Sequence, residues 1–174
     1  MNQFRIAPGA VLATLALVTG CASLQDAGPT AQVQLEPRSS STVTGSLKLR
    51  QKAEGVQITG EVRGLSPASA HGFHVHEKGD CSAADASSAG PHFNPQGSPH
   101  GKMGVAPHHA GDMPNIVADG RGTAQVDVLV PGATLTPGAA SIAGRSVVVH
   151  RDPDDYATQP AGNAGPRLAC GVIP

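Results

Sequence analysis

The sequence predicts an all-β domain, a sandwich or barrel of short antiparallel strands carrying two long loops. Three observations predict it. Apolar and polar residues alternate with a period of two in six separate runs, the pattern of strands buried on one face. No stretch carries the apolar stripe of an amphipathic helix. Gly and Pro, 22 and 15 of 174 residues, favour many turns between short strands.

The runs fall in order along the chain. Residues 41–50 (STVTGSLKLR) and 56–63 (VQITGEVR) flank a turn-like Ala53-Glu54-Gly55 and read as neighbouring strands. Residues 72–76 (GFHVH), 123–129 (TAQVDVL), 146–150 (SVVVH) and 168–173 (LACGVI) supply four more. With no Trp, one Tyr and three Phe, the core between them must be mostly aliphatic. Residues 77–115 and 152–166 lack strand character, and structureless loops of that length in a compact domain are usually functional. The length allows one domain with a sizeable core.

Residues 1–20 read as an export signal. Arg5 gives a basic start, and the apolar run over 10–18 is too short for a lasting membrane span. The run ends in Val18-Thr19-Gly20-Cys21, which resembles the lipobox of bacterial lipoproteins. That resemblance implies cleavage before Cys21, a lipid on its thiol and anchoring to a membrane in the periplasm. An ordinary secretory signal would instead leave a soluble periplasmic protein. Residues 21–40 read as the lipidated cysteine and a flexible polar tether, with only Val33 and Leu35 hinting at a first strand, and the domain is expected over 41–174. The formal charge is −1, and removing residues 1–20 takes away Arg5 and no acid, so the mature side chains sum to −2. Charge therefore implies no nucleic-acid partner. Three cysteines leave one odd thiol outside the cytoplasm. If Cys21 carries lipid, Cys81 and Cys170 remain as a pair able to close a long loop by a disulfide; two free buried thiols are the alternative.

Six histidines and one aspartate carry the chemistry. His74 and His76, two apart on a strand, present both imidazoles to one face. His150 ends another strand, where a lone histidine is more often structural. His92, His100, His109 and Asp112 lie in the first long loop, and three nitrogens with one carboxylate oxygen suit tetrahedral zinc. The bland reading is a solvated polar loop. Against it stands the Gly and Pro density from Gly90 to Gly101, which suggests a loop folded tightly around something. The nitrogen-rich remainder favours copper at a second site.

These residues sit in recognisable motifs. Residues 72–77 (GFHVHE), 90–95 (GPHFNP), 109–112 (HAGD), 148–150 (VVH) and 162–171 (GNAGPRLACG) together resemble the copper/zinc superoxide dismutases, over about residues 71–174 and in matching order. The loop around Cys81 is similar to that of the bacterial periplasmic branch. The resemblance implies a Greek-key β-sandwich or flattened barrel of about eight antiparallel strands. It implies one copper ion on His74, His76, His92 and His150, and one zinc ion on His92, His100, His109 and Asp112, with His92 bridging the metals and donating a proton. His109 is preferred to His108 because the family places the zinc aspartate three residues on, where Asp112 stands. Asp154 matches a carboxylate linking His74 to His100, and His71 a histidine bonding below the copper site. Arg167 matches the arginine beside copper; because a sum of −2 repels an anion, steering is expected from local cations, Arg167 first and then Lys78 and Lys102. A non-catalytic copper or zinc carrier on the same fold would lack a ligand or Arg167, and none is missing. A zinc hydrolase needs an open coordination position, and four protein ligands fill this one. The sequence leaves room for a homodimer.

Overall fold

Residues alternate along each run, so each strand can bury one face only by curling with its neighbours around a shared interior. The computed structural model describes Met1 and residues 28–174, so the export signal, lipobox and Cys21 lie outside the described residues. Nine strands form there: β1 (Thr30–Pro37), β2 (Thr44–Gln51), β3 (Gly55–Arg63), β4 (Ala70–His71), β5 (Phe73–His76), β6 (Ile116–Val117), β7 (Thr123–Pro131), β8 (Ser146–His150) and β9 (Arg167–Val172). Seven pair in the order β5-β8-β9-β1-β2-β3-β7, every pairing antiparallel, and β4 pairs with β6 apart from them. The fold is all-β, a curled antiparallel sheet of the Greek-key barrel kind.

All six runs become strands. The tether reading is corrected at β1. Val33 and Leu35 are buried at 1% and 2% exposure, and β1 pairs with β2 from Thr30↔Arg50 to Leu35↔Gly45. Two apolar residues at period two are enough once a partner strand lies on each side; the polar residues between them face solvent. The domain therefore starts near residue 30, not 41.

The interior is aliphatic, with Leu47, Leu49, Val56, Ile58, Val62, Val126, Val147 and Val149 among its buried members and Phe73 the largest. β8 is buried along its whole length. Val147 and Val149 face the core, while Val148 packs outward with Cys81, Ala86, Ala89 and Cys170 beneath the first long loop. A strand covered on both faces reads as a continuous apolar run, which explains Val147-Val148-Val149.

The same coverage places the site. β5 ends the sheet, and its free edge is covered by the 77–115 loop. Phe93 N–H donates to the Val75 carbonyl, Val75 N–H to Gly111, and Gly111 N–H to Phe93, at 2.8 to 2.9 Å. That lattice sets His92 beside His76 and Asp112 beside His74 as bridge partners. An unpaired strand edge thereby becomes the frame that carries loop ligands to strand ligands.

Candidate metal centre

On β5, Phe73 and Val75 point inward and leave His74 and His76 on the outer face, both at most 1% exposed. β8 brings His150 to the same face. β9 then breaks its alternation. Val149 pairs with Ala169 but His150 pairs with Arg167, so Leu168 is an extra residue in a bulge. Strict alternation would keep Arg167 on the inward face with Ala169. The bulge turns it outward, opposite His150.

Two clusters result, and both are buried: His74, His76, His92 and His150, and His92, His100, His109 and Asp112, each with its ligand atoms within 4.8 Å of one another. His92 belongs to both. The structure thus brings together all seven residues read from the sequence, and His108 stays out, its Nδ1 bonding the His109 carbonyl at 2.7 Å.

Their hydrogen bonds decide whether ions fit. His76 Nδ1 donates to the Gly90 carbonyl at 2.8 Å, and His150 Nδ1 to the Gly165 carbonyl at 3.1 Å. Each ring then turns a bare Nε2 inward, and these two atoms stand 3.3 Å apart. His74 donates through Nε2 to Asp154 Oδ2 at 2.8 Å. Its Nδ1 and the Nε2 of His92 are buried with no partner at all. Facing lone pairs and orphaned buried nitrogens are costly unless a cation lies between them. Four imidazole nitrogens suit copper.

On the other side, Asp112 Oδ1 lies 2.9, 3.0 and 3.2 Å from Nδ1 of His92, His100 and His109, and the His92 and His109 nitrogens are 3.4 Å apart. A tetrahedron with bonds of about 2.0 Å has edges of about 3.3 Å, so the set fits zinc. The other carboxylate oxygen of Asp112 accepts the backbone N–H groups of Gly101 and His109. Asp154 joins the sets: Oδ2 takes His74 and Oδ1 takes His100 Nε2 at 2.9 Å. His71 lies below, its Nδ1 donating to the His150 carbonyl at 2.9 Å and its Nε2 meeting Ser69 Oγ at 2.6 Å.

Protonation favours metal binding. Burial, then the neighbouring histidines, holds His74 and His76 well below the usual histidine range. Burial brings His150 down to about 4 and lowers His109 as well. All four are neutral near pH 7, the state a metal ligand needs. Burial alone would raise Asp112, but hydrogen bonds from His92 and from the backbone of Gly101 and His109 outweigh it and keep the carboxylate ionised.

In front of the histidines opens a cavity of about 630 Å³ whose lining includes His76, His92, His150, Glu77 and Arg167. A larger groove of about 750 Å³, past Glu61, Arg63 and Val117, holds none of these ligands. Arg167 is fixed by bonds to the carbonyls of Ala86 and Gly90 at 2.6 and 2.7 Å. Gly90 therefore serves both the arginine and His76. Lys78 and Lys102 do not line the cavity, so Arg167 is its one cation among the described residues. Lys102 is turned over the Tyr156 ring, 5.8 Å from its centroid. Cys81 and Cys170 form a disulfide that ties the Ala86–Gly90 loop to β9, three residues from Arg167. The carbonyls of Ala86 and Gly90, and the absent Cβ of Gly162 whose place the Asp154 carboxylate takes, have no side-chain signature, so the sequence could not flag them.

Known proteins resemble this chain in sequence and fold. Residues 43–173 match the family described as copper/zinc superoxide dismutase. Cu-Zn superoxide dismutases 2 and 1 of Aquifex aeolicus (strain VF5) are both 44% identical, covering 75% and 74% of this chain and 79% of each relative. A solved double mutant of a SOD-like protein from Bacillus subtilis aligns with TM-score 0.75 and 36% identity over 82% of this chain and 95% of that one.

Proposed function

The chain belongs to the copper/zinc superoxide dismutase family, and on that premise we propose the residue roles, cellular address and assembly that follow. The protein is a superoxide dismutase: two superoxide anions and two protons give one O2 and one H2O2. When bound, copper supplies alternating one-electron reduction and oxidation, and zinc is structural.

His74, His76, His92 and His150 would hold copper, and His92, His100, His109 and Asp112 would hold zinc. The observation that carries this reading is the pair of buried clusters sharing His92, with unpartnered nitrogens turned inward. Arg167, its guanidinium fixed by the Ala86 and Gly90 carbonyls, attracts the anion and holds it against the copper-side histidines. His92 presents one nitrogen to each set, Nδ1 toward Asp112 and an unpartnered Nε2 toward the copper-side histidines, where Nε2 can carry a proton to the reduced substrate. Asp112 anchors His92, and Asp154 fixes the rings of His74 and His100. A metal carrier would have no use for a cation held at the cavity wall. Arg167→Ala should therefore leave copper and zinc near parental levels and slow dismutation about ten-fold or more, the loss of one or two kcal/mol of charge-assisted bonding. Metal analysis with pulse radiolysis tests this, and a fully metallated variant with the parental rate would refute the role.

The address follows from Cys21, which lies nine residues before β1 begins at Thr30. Lipid on Cys21 would hold the domain close to a periplasmic membrane surface. Cys21→Ser should abolish acyl-chain labelling and detergent partitioning; retention of both ends the lipoprotein reading. Val117, 63% exposed beside the charged groove, supplies apolar surface on which a homodimer would close. Sedimentation of the purified mature protein decides that point, and a monomer at high micromolar concentration rejects it.

A further inference from the structure

Two side-chain amides near the site belong to neither ligand set. Gln159 lies on the 152–166 segment and is exposed, so burial gives it no reason to be there. Its Oε1 accepts the His100 backbone N–H at 2.8 Å, and its Nε2 donates to the His100 carbonyl at 2.9 Å and, more weakly, to Ala157 at 3.3 Å. The amide pairs with His100 as a neighbouring strand would. Asn115 does the converse from the other loop. Its Oδ1 accepts the Asp154 N–H at 2.8 Å and its Nδ2 donates to the Asp154 carbonyl at 2.9 Å. His100 and Asp154 are themselves joined ring to carboxylate. Each loop thus grips the backbone of the residue that the other loop contributes to that bond.

What Gln159 holds is the cavity wall. The next two residues, Pro160 and Ala161, line the cavity in front of His150 and Arg167. The backbone–backbone bonds here, Gly162 N–H to Thr158, Asp155 N–H to Gly162 and Asp152 N–H to Ala164, fold the segment on itself; its other ties to the first long loop, at Asp154 and from the Asn115 N–H to Tyr156 Oη, lie on the far side of Thr158 from the Pro160–Ala161 wall. We propose that Gln159 is a positioning residue that sets the aperture of the anion cavity. By pairing with the backbone of His100 it pins the Pro160–Ala161 wall to the zinc-side loop, which admits superoxide to the copper-side histidines and keeps larger anions out. The inference rests on the reading of this cavity as the substrate route.

The test compares the mature chain, loaded with copper and zinc, with Gln159→Ala and Gln159→Glu. Azide probes access by a small anion, and bathocuproine disulfonate with ascorbate probes access by a bulky one through the rate at which it strips copper. In Gln159→Ala, stripping and hydrogen exchange at the His100 amide should both rise about ten-fold while azide affinity stays within about two-fold, since one amide's two hydrogen bonds are lost. Gln159→Glu keeps the bond to the His100 N–H and loses the one to its carbonyl, so its stripping rate should fall between the other two. Unchanged stripping in Gln159→Ala overturns the proposal. Equal gains for azide and chelator also overturn it, because they indicate general loosening and not an aperture. A parent that binds no copper sinks the functional reading and this inference with it, and that outcome is seen before any variant is compared.

Discussion

Gly162 shows how much of the site depends on a single missing atom. It sits at φ +65°, and a Cβ there would overlap the Asp154 carboxylate and come within 2.7 Å of His100 Nε2. Gly162→Ala should push Asp154 off one or both rings and weaken zinc retention about 10- to 100-fold, the usual range for losing such an outer support. Gly132→Ala is the control: its φ is +69° with nothing within 4 Å, so it carries the backbone strain without the overlap. Equal zinc loss in both variants would mean that strain, not Asp154, is responsible. The ligands themselves were legible in the sequence because each is a titratable side chain and all but His100 stand in one of the recognisable motifs. Gly162 stood inside a quoted motif, yet its role was invisible, since it consists of empty space filled by another residue. The buried histidines also set an acid limit. His150 falls to about 4 in the folded metal-free protein, and the unfolded chain binds its proton at about 6.5. The unfolded state therefore holds more protons between those values, and stability drops as pH falls through that window. Metal-free protein should be fully stable above about pH 6.5 and lose on the order of 3 kcal/mol from His150 alone by about pH 4, with His74 and His76 adding to it. Urea titrations across that range measure the slope, and a flat profile would contradict the buried neutral state.

At the scale of elements, the period-two pattern identified six strands because each has one buried and one wet face. It undervalued β1, whose evidence was two apolar residues, and it could not see the bulge at Leu168, which alternation forbids. Chains beginning at Ser41 and at Gly28 test the boundary. The shorter one loses burial of Val33 and Leu35, about 3–6 kcal/mol, and uncovers an edge of β2. Its thermal midpoint should be far lower, and equal midpoints would restore the tether reading. The disulfide acts on a different element. Cys81 and Cys170 are 89 residues apart, and closing such a loop is worth about 4–5 kcal/mol in the chain-entropy model. It also steadies the loop whose Ala86 and Gly90 carbonyls hold Arg167. Cys81→Ser should therefore cost both stability and rate, with the rate falling even at a temperature where the protein is fully folded. A loss of stability alone would show that Arg167 needs only the fold.

For the whole molecule, side-chain charge is a poor guide to how an anion is received. The side chains of the whole sequence sum to −1, which taken alone would repel superoxide. Two bound divalent ions add four positive charges, which more than reverse that sum even if the shared imidazole of His92 gives up a proton. In the metal-loaded protein steering would have two sources, the bound ions and Arg167 at the wall, with Glu77 opposing them at the same cavity. At physiological salt, charges more than about 8 Å apart are largely screened, so only these cavity groups matter there. Dismutation should slow as ionic strength rises from about 10 to 200 mM, because screening weakens a net attraction. Arg167→Ala should flatten that slope without abolishing it, since the ions remain. Glu77→Gln should raise the low-salt rate and steepen the slope, since it removes the opposing charge. Pulse radiolysis across a salt series separates the contributions. A slope of opposite sign in the parent would mean that the surface charge, and not the cavity, governs the approach of the anion.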